Sequence, residues 1–258
     1  MRIAFLIILF LAGIYNFQYA QSPSITTRSI PSPGEMYTFK FIKNPASVDT
    51  SLVGENLIWD FRKLKDTATY YDEVYRESTP SQNEIFEDSY SLDSTNIDGD
   101  LLIWVNYLDS TKYYRLGAFE KPSAPMSDQP YFYHDTILLL TFPFNFGNQL
   151  TDRYEFIKGG RKHHKNQFIN ATIKFDAWGT LILPNNDTCY QAVRIRREEK
   201  FYNMVNDQPQ LMATKTYFLW YDATKPNVFV KVVYVSGIPF EAWFQKKKSF
   251  IKKKRSSN

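Results

Sequence analysis

The sequence predicts an all-β fold, an antiparallel β-sandwich or a pair of packed sheets built from about a dozen short strands. Aromatic residues make up 17% of the 258 residues, and aromatic side chains favour the half-buried, pleated surface of a sheet. Apolar and polar residues alternate with a period of two over most of residues 31–244. No stretch of about ten residues carries the apolar stripe of an amphipathic helix, so we expect little helix.

The alternation is clearest in seven runs, each of which predicts one strand. In the first run Tyr37, Phe39 and Phe41 share one face. In the fifth run Arg194 and Arg196 lie opposite an apolar face, and the predicted strands are expected to have polar outer faces. The runs are Met36–Ile42, Thr69–Arg76, Leu101–Leu108, Phe168–Phe175, Val193–Arg197, Thr216–Tyr221 and Val228–Val235.

Turn-forming residues separate the predicted strands, as is typical of antiparallel hairpins. Trp59 and Phe61 share a face across one residue, which predicts an aromatic anchor in the core. Pro184 is expected to end a strand, because proline cannot continue a hydrogen-bonded ladder. The predicted turns are Pro31–Gly34, Asp98–Gly99, Gly159–Gly160, Pro184–Asp187 and Ser236–Gly237.

Composition excludes several classes of protein. Hydrophobic residues make up 43% of the chain and charged residues 22%, which indicates neither a disordered chain nor a polytopic membrane protein. A single cysteine, Cys189, excludes a disulfide framework, a zinc-finger cluster and a Cys-x-x-Cys redox pair. Three histidines leave little material for a histidine-rich metal centre. We therefore expect no cofactor and no bound metal.

Residues 1–20 are predicted to be a signal peptide. Arg2 precedes the uninterrupted apolar run Ile3–Tyr15, and Ala20–Gln21 is the expected cleavage point. An uncleaved membrane anchor is the alternative, because Gln18 is a poor match to the small residue usual at the −3 position. No cysteine follows the apolar run, which excludes a lipoprotein anchor. The mature protein is expected to be exported to the periplasm or the cell surface.

The chain is then divided into a single β-rich domain at 21–245, with one or two sub-sheets, and a basic disordered tail at 246–258. Seven of the 31 basic residues lie in this tail. Without these seven residues and Arg2, the chain has 23 basic and 27 acidic residues. The high pI of 8.9 therefore comes from the tail and does not indicate a basic binding surface on the domain. A solvated tail is removable without loss of stability and can contact an anionic membrane surface. No nucleic-acid partner is expected.

Candidate metal and acid–base motifs are weak. Ser94, Asn96 and Asp98 have the alternate spacing of a calcium loop, but Val105 stands where the bidentate glutamate should close it. An ordinary hairpin turn is therefore predicted there. Neither His163–His164 nor Glu198–Glu199 forms a local pair, because adjacent residues of an extended chain point to opposite sides.

Nucleophilic and phosphate-binding motifs are also lacking from the sequence. It contains no Gly-x-Ser-x-Gly elbow and no glycine-rich phosphate loop. Cys189 is expected to be a packed free thiol at a strand start. We therefore predict no catalytic, cofactor-binding or metal-binding residue.

Five blocks, in order, resemble the uncharacterised β-rich amino-terminal region of exported proteins from bacteria with type IX secretion. The resemblance spans residues 31–235 and implies no activity and no catalytic residues. The sorting domain that usually follows in that family has no counterpart after Phe244. The blocks are Pro33–Phe39, Asn56–Phe61, Leu140–Gly147, Gly179–Pro184 with Val193–Arg194, and Tyr217–Tyr221 before Asp222.

Two hypotheses of function follow. The first is a non-catalytic exported β-sandwich protein of the cell envelope that binds an envelope protein or a glycan, or has a structural role. For a glycan, Tyr113, Tyr114, Tyr131 and Tyr133 are candidates to stack on sugar rings. The second is an exported hydrolase of polysaccharides, with an Asp/Glu pair that only the fold brings together. A concave cleft with two carboxylates would favour the hydrolase, and a flat surface would favour the binding protein.

Overall fold

The structure, a computed structural model, describes residues 22–80, 89–95, 101–121, 129–158 and 167–250. It confirms the all-β prediction, with a fourteen-stranded sheet and a small two-stranded sheet in these ranges. Two three-residue 3-10 turns lie at Thr27–Ser29 and Pro45–Ser47. The two sheets are consistent with a sandwich.

Sixteen strands lie within the described residues. They are, in chain order, β1 Ser24–Ile25, β2 Glu35–Ile42, β3 Gly54–Asp60, β4 Asp66–Glu77, β5 Tyr90–Thr95, β6 Leu101–Leu108, β7 Lys112–Lys121, β8 Gln129–Thr141, β9 Phe144–Asn145, β10 Gln149–Tyr154, β11 Phe156–Lys158, β12 Gln167–Ile182, β13 Thr188–Val205, β14 Gln208–Asp222, β15 Val228–Val235 and β16 Ile238–Phe250.

The large sheet has the order β10-β12-β13-β14-β15-β16-β2-β4-β5-β6-β7-β8-β11, and β3 pairs with β12 beside this path. Neighbours are antiparallel except β3 and β12, which run parallel. The sheet curls until β8 meets β10, where the Leu138 amide donates to Asp152 Oδ2 at 2.8 Å. No ladder joins β8 to β10 in the described ranges, so the sheet is not closed.

Several strands are longer than the short strands that the sequence predicts, and the three longest are β12, β13 and β14. β12, β13 and β14 contain 16, 18 and 15 residues. β-bulges between Phe175 and Ala177 and between Gly179 and Leu181 shift the register of β12 without ending the strand. The strand therefore continues past each irregularity, although the extra residue is unpaired and the strict alternation of faces is interrupted there.

The two largest hydrophobic clusters of the described residues lie on opposite faces of the sheet. The inner core lies between the two halves of the curled sheet, since it joins Tyr37, Phe39 and Tyr75 to Phe175 and Val193. The outer core lies on the other face of β12–β16. Segment 42–64 covers this second core, which contains Ile42, Val48, Trp59, Phe61, Leu181, Trp220, Val230 and Val232. The prediction of polar outer faces is therefore wrong for these strands.

The aromatic anchor is confirmed in the outer core. Trp59 and Phe61 are both buried, and their rings meet the Trp220 ring edge-on at 5.9 and 5.6 Å between centroids. Next to them, Gly179 pairs with Leu57 across the parallel β3–β12 contact. A Cβ at Gly179 would lie 2.0 Å from the Leu57 carbonyl oxygen, so only glycine lets β3 approach this closely.

The prediction that Arg194 lies on a solvent-exposed face is wrong. Its side chain is fully buried, and its Nε and Nη2 donate to the two carboxylate oxygens of Asp176 at 2.8 and 3.0 Å. Nη1 donates to the Thr50 carbonyl at 3.0 Å, and the guanidinium lies over the Phe218 and Trp220 rings. The residue does alternate with Val193, but the face it points to is the covered outer core. Arg196, two residues on, is exposed as predicted.

The prediction that a disordered tail begins at residue 246 is wrong, because the last strand extends beyond this residue. β16 continues to Phe250, and Lys247, Lys248 and Ser249 pair with β2. The Lys248 ammonium lies 2.6 Å from Glu35 Oε1 and donates to the Pro226 carbonyl at 2.6 Å. A lysine whose ammonium neutralises a buried carboxylate is part of the fold. Residues 251–258 lie outside the described residues.

Several predicted turns can be compared with the structure. Ser236–Gly237 joins β15 to β16 with φ of 48° and 81° at the two residues, which confirms the prediction. Asn206–Asp207, with φ of 50° and 58°, joins β13 to β14 and was missed. Both residue types tolerate the left-handed region, so the dipeptide itself was the available signal. Asp98–Gly99 and Gly159–Gly160 lie outside the described residues.

We predict that the variant Asp176→Asn lowers the free energy of unfolding by about 3–5 kcal/mol, because it leaves the Arg194 guanidinium buried without a counter-charge. The matched control is Glu198→Gln, which removes the same charge from a partly exposed ion pair with Arg196 and is expected to cost about 1 kcal/mol or less. Urea unfolding followed by tryptophan fluorescence measures both. Equal stability of the two variants would contradict this role for the buried pair.

We also predict that truncation after Gln245 lowers the free energy of unfolding by at least about 3 kcal/mol. It removes the pairing of Lys247–Phe250 with β2 and leaves the buried Glu35 without its ammonium partner. Truncation after Phe250 removes none of these contacts and is expected to change stability by about 0.5 kcal/mol or less. Thermal unfolding of both truncated chains tests this, and equal melting temperatures would show that the end of β16 is dispensable.

Candidate functional site

An open cleft lies where β13 begins and where the loop 223–227 joins β14 to β15. Its volume is about 470 Å³. The walls come from Asp187–Gln191 on one side and from Asp222–Asn227 on the other, with Phe229 at the base. Two connecting segments held by a rigid sheet therefore shape the cleft, which is where binding groups commonly lie in β proteins.

Asp222 is a structural group within the cleft. Its carboxylate is buried, and Oδ1 accepts hydrogen bonds from the Thr224 amide at 2.9 Å and the Thr224 hydroxyl at 2.7 Å. Oδ2 lies 3.5 Å from the Lys225 ammonium. Both oxygens therefore have partners in the loop, and Asp222 fixes the conformation of the wall that it belongs to.

Asp187 is the second carboxylate of the cleft and is exposed. Its Oδ2 accepts a hydrogen bond from Asn185 Nδ2 at 2.6 Å. Because Asp222 is committed to Thr224 and Lys225, the cleft holds one carboxylate rather than two that are open to a ligand.

The thiol of Cys189 lies between the cleft and the outer core. Burial, together with the nearby negative charge of Asp222, raises the pKa of this thiol to about 12. The sulfur is therefore a protonated thiol at neutral pH and a poor nucleophile. Cys189 is free and buried at the start of β13, which confirms the prediction of a packed thiol.

Two groups of the cleft are placed to contact a ligand. Tyr190, on the rim, has 76% of its surface exposed although it is a large aromatic residue. Asn227 is buried, and its Oδ1 has no hydrogen-bond partner within the described part of the chain. A flat apolar ring beside an unsatisfied acceptor and exposed Gln191 suits a ligand with both C–H faces and hydroxyl donors.

A second set of polar side chains lines the inner face of the curled sheet. Arg197 Nε donates to Glu199 Oε1 at 2.7 Å, and the Tyr154 hydroxyl donates to the same oxygen at 2.9 Å. Lys231 forms an ion pair with Glu73 on β4. Burial raises the pKa of the surrounding phenols above the ordinary value of 10, so they stay protonated: Tyr75, Tyr90, Tyr113, Tyr217 and Tyr221.

The sugar-stacking candidates are not in the cleft. Tyr113 is buried in the inner core, with its ring stacked against Tyr90 at 6.5 Å between centroids, so it offers no face to a glycan. Tyr114 is half-buried beside Tyr107. Tyr131 and Tyr133 lie on β8, and their side chains are outside what the structure describes.

The other motifs from the sequence give no site. Glu199 is buried on the inner face and Glu198 is on the opposite face, which confirms that they do not form a local pair. The segments 96–100 and 163–164 lie outside the described residues. The sequence analysis missed Tyr190, Asp222 and Asn227. The Asp-x-Thr spacing of Asp222 and Thr224, which is typical of an Asx turn, was the available signal for the loop.

The fold and the cleft together define an all-β protein with an open cleft that polar residues and the exposed Tyr190 line. Within the described ranges no group of three or more histidine, cysteine, aspartate or glutamate residues is placed to hold a metal ion. No helix of the described chain is long and apolar enough to cross a membrane.

Comparison with known proteins gives no match. No protein-family model matches the chain, and neither a curated protein nor a solved structure is significantly similar to it. The resemblance of the five blocks to the type IX secretion-associated region therefore stays a prediction.

Proposed function

We propose that this chain is an exported, non-catalytic β-sandwich protein of the cell envelope that binds glycans in the cleft of Tyr190 and Asn227. The apolar run at 3–15 and the resemblance of the five blocks support export. The shape and the polar groups of the cleft support binding of a small polar ligand such as part of a polysaccharide.

The observation that carries the proposal is the exposed Tyr190 ring on the rim of a polar cleft. One face of a pyranose ring presents C–H groups that can pack on an aromatic ring, and Tyr190 offers an exposed ring beside the polar residues of the cleft. Asn227 Oδ1 offers an acceptor for a sugar hydroxyl, and its buried position makes an unpaired state costly. Both requirements are met by one ligand class.

The alternative of a polysaccharide hydrolase has one observation in its favour, since the cleft contains two carboxylates. Glycoside hydrolysis needs an acid and a second carboxylate that both face the scissile bond. Asp222 is buried and has partners in its own loop, with Oδ1 accepting from Thr224 and Oδ2 close to Lys225, so its role is to hold that loop. Binding without hydrolysis is therefore the better-supported function.

Export predicts a mature protein that begins near Gln21 and is recovered outside the cytoplasm. Amino-terminal sequencing of the protein from fractionated cells measures this directly. A chain that begins at Met1 and stays with the membrane fraction would instead identify residues 1–20 as an uncleaved anchor.

Glycan binding predicts retarded migration in native gels that contain a soluble polysaccharide, with a neutral β-glucan, a mannan and an anionic pectin as probes. We expect Tyr190→Ala to weaken binding about tenfold or more, since loss of an aromatic contact costs about 1.4 kcal/mol. Tyr70→Ala is the matched control, because Tyr70 is 62% exposed on β4, outside the cleft. It should bind as the wild type does.

Two results would contradict the proposal. Absence of retardation by all three polysaccharides, or equal retardation of the wild type and Tyr190→Ala, would exclude glycan binding at this cleft. Release of reducing ends by the wild type but not by Asp222→Asn would establish the hydrolase instead.

A further inference from the structure

We propose that the inner face of the sheet holds a second binding site, separate from the cleft, for the carboxylate of a small aromatic ligand. Arg115, Asn106 and Tyr90 would bind the carboxylate. The site does not rest on glycan binding, because it lies on β5–β7 rather than at the β14–β15 loop.

Arg115 has a free hydrogen-bonding edge. It lies opposite Asn106 across the β6–β7 pair, and its Nε donates to Asn106 Oδ1 at 3.3 Å. The guanidinium carbon is 4.1 Å from the centre of the Trp104 ring. This stacking covers one face of the guanidinium and leaves the Nη1 and Nη2 edge without a hydrogen bond in the described part of the protein.

Arg115 is also a cation without a carboxylate partner among the described residues. Three other cations on the inner face form ion pairs, whereas no carboxylate lies within ion-pair distance of Arg115 in the described ranges. An excess positive charge in a half-buried position favours an anionic ligand. The paired inner-face cations are Arg197 with Glu199, Lys231 with Glu73, and Lys248 with Glu35.

Two buried donors lie beside Arg115. Asn106 is fully buried, and its Nδ2 makes no hydrogen bond to any described residue. Tyr90 lies opposite Asn106 and is 7% exposed, and the side chain of Tyr113, which stacks against it, is the hydrogen-bonding neighbour of its hydroxyl. A buried donor left unpaired is destabilising, and native proteins pair nearly all of them.

The positive charge of Arg115 acts on the hydroxyls around it. It opposes the burial that raises the pKa of Tyr90, and it does the same at Tyr113, Tyr217 and Tyr221. Four phenols on three strands therefore lie within its electrostatic reach. Glu73 and Glu199 act in the opposite sense on these phenols, but each is neutralised by its own cation.

The chemistry of these groups selects the ligand. The Nη1 and Nη2 groups form a planar fork that matches the two oxygens of a carboxylate. Asn106 Nδ2 and the Tyr90 hydroxyl are donors, so all three groups require an acceptor with more than one lone pair. Trp104 and Tyr113 surround the fork with aromatic surface, which suits an aromatic body attached to the carboxylate.

Isothermal titration with benzoate tests the site, with benzamide as the uncharged probe of the same shape. We expect the wild type to bind benzoate and not benzamide, and Arg115→Gln to weaken benzoate binding by about tenfold to a hundredfold, as for the loss of a charged hydrogen bond. Arg62→Gln is the matched control, because Arg62 is exposed and pairs with Asp60 at the surface. It should leave the affinity unchanged.

Equal affinity of Arg115→Gln and the wild type, equal affinity for the two probes, or no heat of binding would each overturn the proposal. If Arg115→Gln does not fold, crystals of the wild type grown with 4-iodobenzoate supply the test. The iodine anomalous signal should then lie on the inner face near Trp104, with the carboxylate on Arg115. A signal confined to other positions would overturn the proposal equally.

Discussion

The buried ion pair between Arg194 and Asp176 is the interaction on which the outer half of the structure depends. It links β13 to β12, and through the carbonyl of Thr50 it also fixes the segment that covers the outer core. The buried guanidinium is stable because the Asp176 carboxylate neutralises its positive charge. The rings of Phe218 and Trp220, which lie against it, stabilise the cation further. The cover in turn excludes water from Trp59 and its neighbours. Breaking the pair would leave a charge under an apolar layer.

Burial of both faces explains why this sheet contains so many internal charges. In a sheet with one solvent-exposed face, the charged side chains lie on that face. β12–β16, however, have a hydrophobic core on each side. Charged residues on these strands must therefore find partners inside, as Lys231 does with Glu73 on β4 and Lys248 with Glu35 on β2. These pairs join strands that are distant in sequence, so they also set which strands meet. Arg115 differs from them because nothing in the described chain neutralises it.

The residues of the cleft and those of the proposed inner-face site are held in position in different ways. In the cleft, the side chain of Asp222 holds in place the loop that leads to the buried Asn227, and Tyr190 is exposed among the residues that line the cleft. On the inner face, regular strands place Arg115 and Asn106 side by side, and the register of the β6–β7 pair alone brings them together. A loop site suits an extended ligand such as a polysaccharide, whereas a strand site within the sheet suits a compact anion.

The sequence by itself determined the all-β class, the shared face of Trp59 and Phe61, the turn at Ser236–Gly237 and the packed state of Cys189. These follow from alternation, turn chemistry and residue type, which act over a few neighbouring residues. Only the tertiary structure decided that Arg194 is buried and that β16 continues to Phe250. It alone brought the cleft residues together and left Arg115 without an ion-pair partner among the described residues. Alternation shows which residues share a face, but the burial of that face depends on segments far away in the chain, and so does the charge that each buried group meets.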